Sequence, residues 1–395
     1  MLERLRRSSN KGDVQVKKRL HTILFLALCF IFIKPEYSLR ANEIGNDTSY
    51  VKLRILETTD THSYLLDYDY KEKKRTVEFG YNRVASLIQQ ARKESPNNLL
   101  FDVGDILKGS AIADYVAESK LLFFSDIHPA YKAMNLMEYD GATVGNHEFN
   151  FGLDYMWTST AGATFPYTNA NIYLDDQNHL ESDDMYLFPP YLLLNKEVVD
   201  EMGEKVELKI GVLGLITPIT QEWDKEYFED NLIIKNMQES AERIVPQMKK
   251  EGADIIIALV HAGLQSDEGN QEKQGNNVLA VSKVKDIDVI LFGHSHLLFP
   301  MKGEKGSELI DHERGLINGK PAVQAGFWGN HLGIIDLLIE RKNNRWKIVD
   351  SKSQAKPIIR ILKEKKVPIV SPYLPIDDIL VNYHQGTLNY LEEQK

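Results

Sequence analysis

Five short apolar runs in this chain each end in residue types that bind cations, and that repetition restricts the possible folds more than any other feature. The run 53–56 leads into Asp60-Thr61-His62 and the run 99–103 into Gly104-Asp105. The run 142–144 leads into Gly145-Asn146-His147-Glu148, 255–260 into His261, and 289–292 into Gly293-His294-Ser295-His296. A sixth apolar run covers 210–216. Between the runs, residues 81–93, 130–137, 239–250 and 276–284 repeat apolar positions near every 3.6 residues, which predicts helices. Strand–helix alternation of this kind predicts an α/β layered domain. Segments 322–325 and 332–340 read as consecutive strands, suggesting a second sheet packed on the first. Sites in open α/β sheets lie beyond the carboxyl ends of the strands, so five strand ends would deliver their polar groups to one rim.

The donors at that rim suit divalent metals. Imidazole and carboxylate favour zinc, iron, manganese or nickel, and thiolate is missing from the set. Asp60, His62, Asp105, Asn146, His261, His294 and His296 exceed the needs of one tetrahedral ion but fit two ions completed by water. One carboxylate must then bridge the pair, and Asp105 is central in the order. Each motif alone has a bland reading. Asp-x-His is commonly a turn or a cap, Asn-His-Glu is ambiguous, and a lone His261 suits a core. Gly-His-Ser-His after an apolar strand is stronger, since histidines at i and i+2 readily face one cation. The joint pattern decides for a site. His21, His128, His179, His312, His331 and His384 have no such setting and read as structural or surface residues.

Charge narrows the partners. The formal net charge is −10, which argues against a broad electrostatic grip on polymeric nucleic acid. A small anionic ligand remains compatible, because bound metal reverses the field locally. The first forty residues differ from the rest. Arg4, Arg6, Arg7, Lys11, Lys17, Lys18 and Arg19 precede an apolar run over 22–33, and a polar stretch follows that ends Leu39-Arg40-Ala41. This is the layout of a secretory signal peptide over 1–41, and about 12 apolar residues fall short of the roughly 20 that span a bilayer. The expectation is export, to the medium, cell wall or periplasm, with no stable membrane partner. The single cysteine, Cys29, lies inside that run, so no disulfide is expected in the remainder.

The order Asp-x-His, Gly-Asp, Gly-Asn-His-Glu, His and Gly-His-x-His resembles the calcineurin-like metallophosphoesterases. The stretches LRILETTDTHSYLLDYDY, FGYNRVASLI, GNHEFNFGLDY, FPYTNANI, ILFGHSH and GFWGNHLGIIDL are similar to bacterial 2′,3′-cyclic-nucleotide 2′-phosphodiesterase/3′-nucleotidases, relatives of the secreted 5′-nucleotidases. The resemblance covers residues 51 to about 393. It implies a four-layer α-β-β-α sandwich of two packed sheets flanked by helices. It implies one metal at Asp60, His62, Asp105 and His296, with Asp105 bridging to a second at Asn146, His261 and His294, the ions being Mn, Zn, Fe, Co or Ni.

The same resemblance places Asn146 and His147 against the substrate, a small nucleotide whose scissile phosphate His147 would touch. The residue three after that histidine is aspartate in 5′-nucleotidases and is Asn150 here, as in the cyclic phosphodiesterase branch. An amide cannot stabilise an imidazolium as a carboxylate does, which leaves Glu148 and Asp154 as substitutes for that role. The expected domains are a catalytic domain over 42–350 and a linker with its helix over 351–395. The base-binding C-terminal domain of two-domain relatives is expected to be absent. The expected activity is opening of 2′,3′-cyclic nucleotides to 3′-nucleotides and on to nucleosides. The alternatives are a metal-binding fragment with little nucleotide activity, a 5′-nucleotidase-like monoesterase, or a surface protein without catalysis. Oligomeric state is left open.

Overall fold

The computed structural model describes residues 48–119, 121–124, 126–177, 184–228, 231–264 and 277–395, which form one compact unit, Thr48–Lys395. The signal-peptide reading over 1–41, Cys29, His21, His179 and the first residue of the 276–284 helix lie outside the described residues. Within the described residues no helix is long and apolar enough to cross a membrane.

Two sheets make the centre. The first orders its strands Arg345–Pro357, His331–Lys342, Thr48–Thr58, Asn98–Asp102 and Gly141–Ala142. The second runs from two short strands, Ile310–Asp311 and Leu316–Ile317, through Lys320–Ala325, Val289–Phe292, Ile255–His261 and Lys205–Ile216 to Leu192–Val199. Alternation along the strands decides which side chains meet. Val51, Leu53, Ile55, Leu99 and Phe101 of the first sheet pack in one buried cluster with Ile210, Val212, Ile257, Leu259 and Leu291 of the second. The intervening residues turn outward onto helices. Leu56 and Leu100 meet Val84, Leu87 and Ile88 of helix Tyr81–Glu94. Ile256, Ala258 and Val260 meet Ala241, Ile244, Val245 and Met248 of helix Met237–Lys250. The result is the expected α-β-β-α layering, and each fully buried aliphatic side chain contributes about 1.5–3 kcal/mol.

Local signals explain the helix ends. Asn236 caps Met237–Lys250 by accepting from the Glu239 amide at 3.1 Å, and Lys249 and Lys250 close its negative end. His128 caps helix Pro129–Leu136 by accepting from the Ala130 amide at 3.2 Å, a structural use for a histidine with no place at the rim.

Two expectations need correction. Segments 322–325 and 332–340 do not share a sheet; the first joins the second sheet beside Val289–Phe292, and the second joins the first sheet beside Thr48–Thr58. The expected catalytic-domain boundary at 350 falls inside strand Arg345–Pro357, which pairs along most of its length with His331–Lys342. The helix assigned to a linker, observed as Leu374–Glu393, buries Ile376, Leu380, Tyr383 and Thr387. Asp377 on it accepts from Asn82 at 2.6 Å and Arg75 at 2.9 Å, while Asp67 pairs with Arg83 at 2.7 Å alongside. This helix is therefore part of the layer covering the first sheet.

Candidate metal centre

The strand ends of both sheets converge where the sheets pack, and two donor groups form there. Asp60, His62, Asp105 and His296 offer ligand atoms all within 4.8 Å of one another, and so do Asp105, His261 and His294. Asp105 belongs to both. Asn146 stands beside the second group, its Oδ1 3.1 Å from Nδ1 of His294. The seven sequence-derived donors are thus brought together. The pairing of histidines differs from the reading of the Gly-His-Ser-His motif in isolation. His294 and His296 belong to different donor groups rather than facing one cation, and both residues have left-handed backbone (φ 74° and 56°).

Left-handed backbone is concentrated at this rim. Asp60 (φ 50°), His62 (φ 48°) and Asp105 (φ 60°) share it with the two histidines. Each such residue costs on the order of 1–3 kcal/mol and persists only where the surroundings hold it. Part of that support is visible. Glu148, fully buried, accepts from the backbone amides of Asp105 (2.8 Å), Leu107 (3.1 Å), Gly145 (2.6 Å) and also Ile106, tying two strand-end loops together. A Cβ on Gly145 would lie 2.3 Å from Oδ1 of Asp105 and 2.5 Å from the His261 ring, so only glycine lets this loop approach.

Whether cations fit can be judged from the imidazoles. Nδ1 of His62 donates to the Lys108 carbonyl and Nδ1 of His261 to the Val103 carbonyl, each at 2.7 Å. A carbonyl only accepts, so Nδ1 carries the hydrogen and Nε2 of each neutral ring presents a lone pair. Nε2 of His261 points at Oδ2 of Asp105 from 3.2 Å, is buried and has no hydrogen-bond partner. Nε2 of His62 lies 2.9 Å from Nε2 of His296, and the latter 3.4 Å from Oδ1 of Asp60. A lone pair aimed at a carboxylate, as Nε2 of His261 is at Asp105, requires positive charge between them, and an Nδ1–H anchored on a carbonyl is the usual support of a metal-ligating histidine. Without metal, protons must supply that charge. Burial opposes protonation of His261, yet Asp105 raises its pKa to about 10. Burial likewise opposes ionisation of Asp105, but His261, His147 and His62 hold it well below the usual carboxylate range. Burial, assisted by His261, lowers His294 to about 4. Divalent ions in the two groups would replace the protons.

Beside the centre stands His147. Its amide donates to Oδ1 of Asp105 at 2.8 Å, and its ring meets that of His62 edge-on at 5.0 Å. Nδ1 of His147 is 2.5 Å from Oδ1 of Asn150, so neither Glu148 nor Asp154 substitutes there. Glu148 is spent on backbone amides, and Asp154 is exposed in the first turn of helix Leu153–Thr160.

Three residues at the site escaped the sequence reading. Trp223 stacks on His294 (5.4 Å, 18°) and Phe327 on His296 (5.0 Å, 15°). Asp224 accepts from Nδ2 of Asn150 at 2.6 Å. Trp223 and Asp224 follow the run 210–216 but lie past a turn and at the end of the short helix Thr220–Trp223, farther from their strand than the donors at the other five strand ends.

Comparison with known proteins agrees with this geometry. The family model for calcineurin-like phosphoesterases matches residues 53–298, which span the strand ends from Asp60 to His296. The chain belongs to the calcineurin-like phosphoesterase family. The crystal structure of the calcineurin-like phosphoesterase YfkN from Bacillus subtilis superposes with a TM-score of 0.79 at 36% identity, covering 87% of this chain and 99% of that one. Among curated family members, the 2′,3′-cyclic-nucleotide 2′-phosphodiesterase/3′-nucleotidase of Yersinia enterocolitica is 40% identical over 343 residues, 87% of this chain and 51% of that protein. The 5′-nucleotidase of Vibrio parahaemolyticus is 30% identical, over 75% of this chain and 50% of that protein. The chain spans about half the length of these curated relatives.

Proposed function

We propose that the chain is an exported, metal-dependent phosphoesterase that opens 2′,3′-cyclic nucleotides to 3′-nucleotides and hydrolyses these further to nucleosides. The observation that carries the reading is the pair of donor groups sharing Asp105 with His147 at their edge. The naming of the Yersinia relative supplies the substrate class, and the basic, apolar, polar start of the chain supplies the export reading. Asp60, His62, Asp105 and His296 would hold one divalent ion, and Asp105, Asn146, His261 and His294 a second, drawn from Mn, Zn, Fe, Co or Ni. When bound, such ions offset charge on phosphoryl oxygens and acidify a nucleophilic water.

The chain's own residues supply the remainder. His147, with Nδ1 engaged by Asn150, turns Nε2 toward the substrate side. An Nε2–H there donates to the 2′ oxygen as its bond to phosphorus breaks, while water supplies the oxygen that replaces it. Asn146 stands where its amide meets both the second donor group and the phosphate. The partner is a small nucleotide, since an acidic protein repels a nucleic-acid polymer.

Purified protein given manganese should hydrolyse both 2′,3′-cyclic AMP and bis-p-nitrophenyl phosphate, and chelation should abolish both. No turnover with any of the five metals would overturn the reading. Secreted protein should begin after Ala41; retention of residues 1–41 would overturn its export.

A further inference from the structure

Resting on that reading, we propose that Asp224 is a positioning residue, acting through Asn150 to orient His147 for the leaving oxygen. Asn150 is the direct partner of the histidine, at the position where the resemblance gives 5′-nucleotidases an aspartate, and Asp224 places a carboxylate on the far side of its amide. Nδ1 of His147 meets Oδ1 of Asn150 at 2.5 Å, and Nδ2 of Asn150 donates to Oδ1 of Asp224 at 2.6 Å. Asn150 and Asp224 are both nearly inaccessible, at 9% and 6% exposure. The other oxygen of Asp224 is buried without a hydrogen-bond partner, so the Asn150 amide is the one side-chain group it engages among the described residues.

The direction of the chain follows from what each atom can do. A carboxylate only accepts, so Asp224 fixes the NH2 of Asn150 toward itself and the carbonyl oxygen toward His147. That oxygen accepts only from a protonated Nδ1, which leaves Nε2 as the atom presented to substrate. Without Asp224 the amide can rotate, offer its NH2 to Nδ1 and select the opposite tautomer. The negative charge also polarises the amide, strengthening its hold on Nδ1–H. Asp224 reaches this position because strand Lys205–Ile216 ends in a turn and the short helix Thr220–Trp223, with the Asp224 amide donating to the Thr220 carbonyl at 2.9 Å. The same segment lays Trp223 on His294, so one strand end supports both a metal-side histidine and the substrate-side histidine.

The proton balance locates the effect. His147 enters this step with hydrogen on both ring nitrogens; when the P–O2′ bond breaks, the electron pair stays on the 2′ oxygen, which takes the proton from Nε2 and leaves the ring neutral. The Nδ1–H to Asn150 persists throughout. A sugar alkoxide needs that proton and a nitrophenolate hardly does. Asp224→Asn should therefore lower kcat on 2′,3′-cyclic AMP by about 10- to 100-fold, and on bis-p-nitrophenyl phosphate by several-fold less, with KM little changed. The exchanged pair Asn150→Asp with Asp224→Asn restores one carboxylate and one amide in reversed order, and should recover most of the loss on the cyclic nucleotide. Ring 15N shifts of His147 in metal-free protein should report Nδ1–H in the wild type and a mixture of tautomers in Asp224→Asn. Equal loss on both substrates, no recovery in the exchanged pair, or an unchanged tautomer would each overturn the proposal. An inactive wild type would instead overturn the reading on which it rests.

Discussion

The two halves of the metal centre share Asp105, and each holds one partly exposed histidine, but their remaining histidines and their edges differ. The second half contains the most deeply buried ring: the His261 side chain is 0% exposed, sits at the end of the central strand Ile255–His261 and is anchored on the Val103 carbonyl from the opposite sheet. The first half opens outward, with the His296 side chain 39% exposed on a loop and backed by Phe327. Asp60, His62 and Asp105 come from the first sheet, while His261, His294 and His296 come from the second. The centre therefore exists only when both sheets pack, and Asp105 is where they meet. His261, fixed by the core, suits permanent ligation, and His296, at the open edge, suits exchange and access for substrate.

Exchanging single ligands should separate the halves. His261→Ala removes a buried ring between two sheets and leaves Asp105 without its partner, so it should cost about 2–5 kcal/mol of stability. Its turnover should fall by at least about a hundredfold and not return with excess metal. His296→Ala, at the open edge, should leave stability within about 0.5 kcal/mol and raise the metal concentration needed for activity by about 10- to 100-fold, with excess manganese restoring most turnover. Denaturant titration and metal-dependent kinetics read both, and equal behaviour of the two variants would erase the distinction.

A smaller effect should arise one layer behind the ligands. Glu148→Gln replaces a four-fold acceptor by an amide with a single acceptor oxygen, so backbone amides near Asp105 and Gly145 lose partners. It should lower stability by about 1–3 kcal/mol and weaken both halves alike, since the loops it joins carry Asp105 and Asn146. Weakening of one half alone would show that the brace serves only that side.

The effect with the least bearing on the centre lies away from it and serves as its control. Burial lowers His128 to about 3, below the roughly 6.5 of an unfolded histidine. Above pH 6.5 both states are neutral and no stability depends on this proton. As pH falls from 6.5 toward 3, the unfolded chain takes the proton and the folded one does not, so stability is lost. Over the two units from pH 6.5 to 4.5 that loss is about 2 kcal/mol. Replacing His128 by Asn, which can still cap the helix, should flatten the melting temperature between those pH values. An unchanged pH dependence would show that other groups govern acid unfolding.

Much of this architecture was legible in the residues. Short apolar runs followed by Asp, His or Asn pointed to a cation-binding rim, because strand ends and site residues are close in sequence. Sheet membership was not legible. Ile255–His261 and Val289–Phe292 are covered on both faces and read as continuous apolar runs, as does any doubly covered strand. Strand Arg345–Pro357 lacks such a run for the opposite reason, being mostly half-buried and rich in charge. Left-handed backbone at Asp60, His62, Asp105, His294 and His296 falls on residue types that tolerate it, but these types also sit elsewhere with ordinary φ, so the positions could not be told from sequence. Asp224 was hidden because a turn and a short helix separate it from its strand.

The sharing of Asp105 is the central claim, and metal stoichiometry tests it most directly. Wild-type protein titrated with manganese in a calorimeter, with bound metal counted by elemental analysis, should take up two equivalents. Asp105→Asn should hold fewer than one equivalent at the same metal concentration, since both halves lose a ligand, and its turnover of 2′,3′-cyclic AMP should fall at least about a thousandfold. Two retained equivalents in Asp105→Asn, or one equivalent in the wild type, would contradict the account.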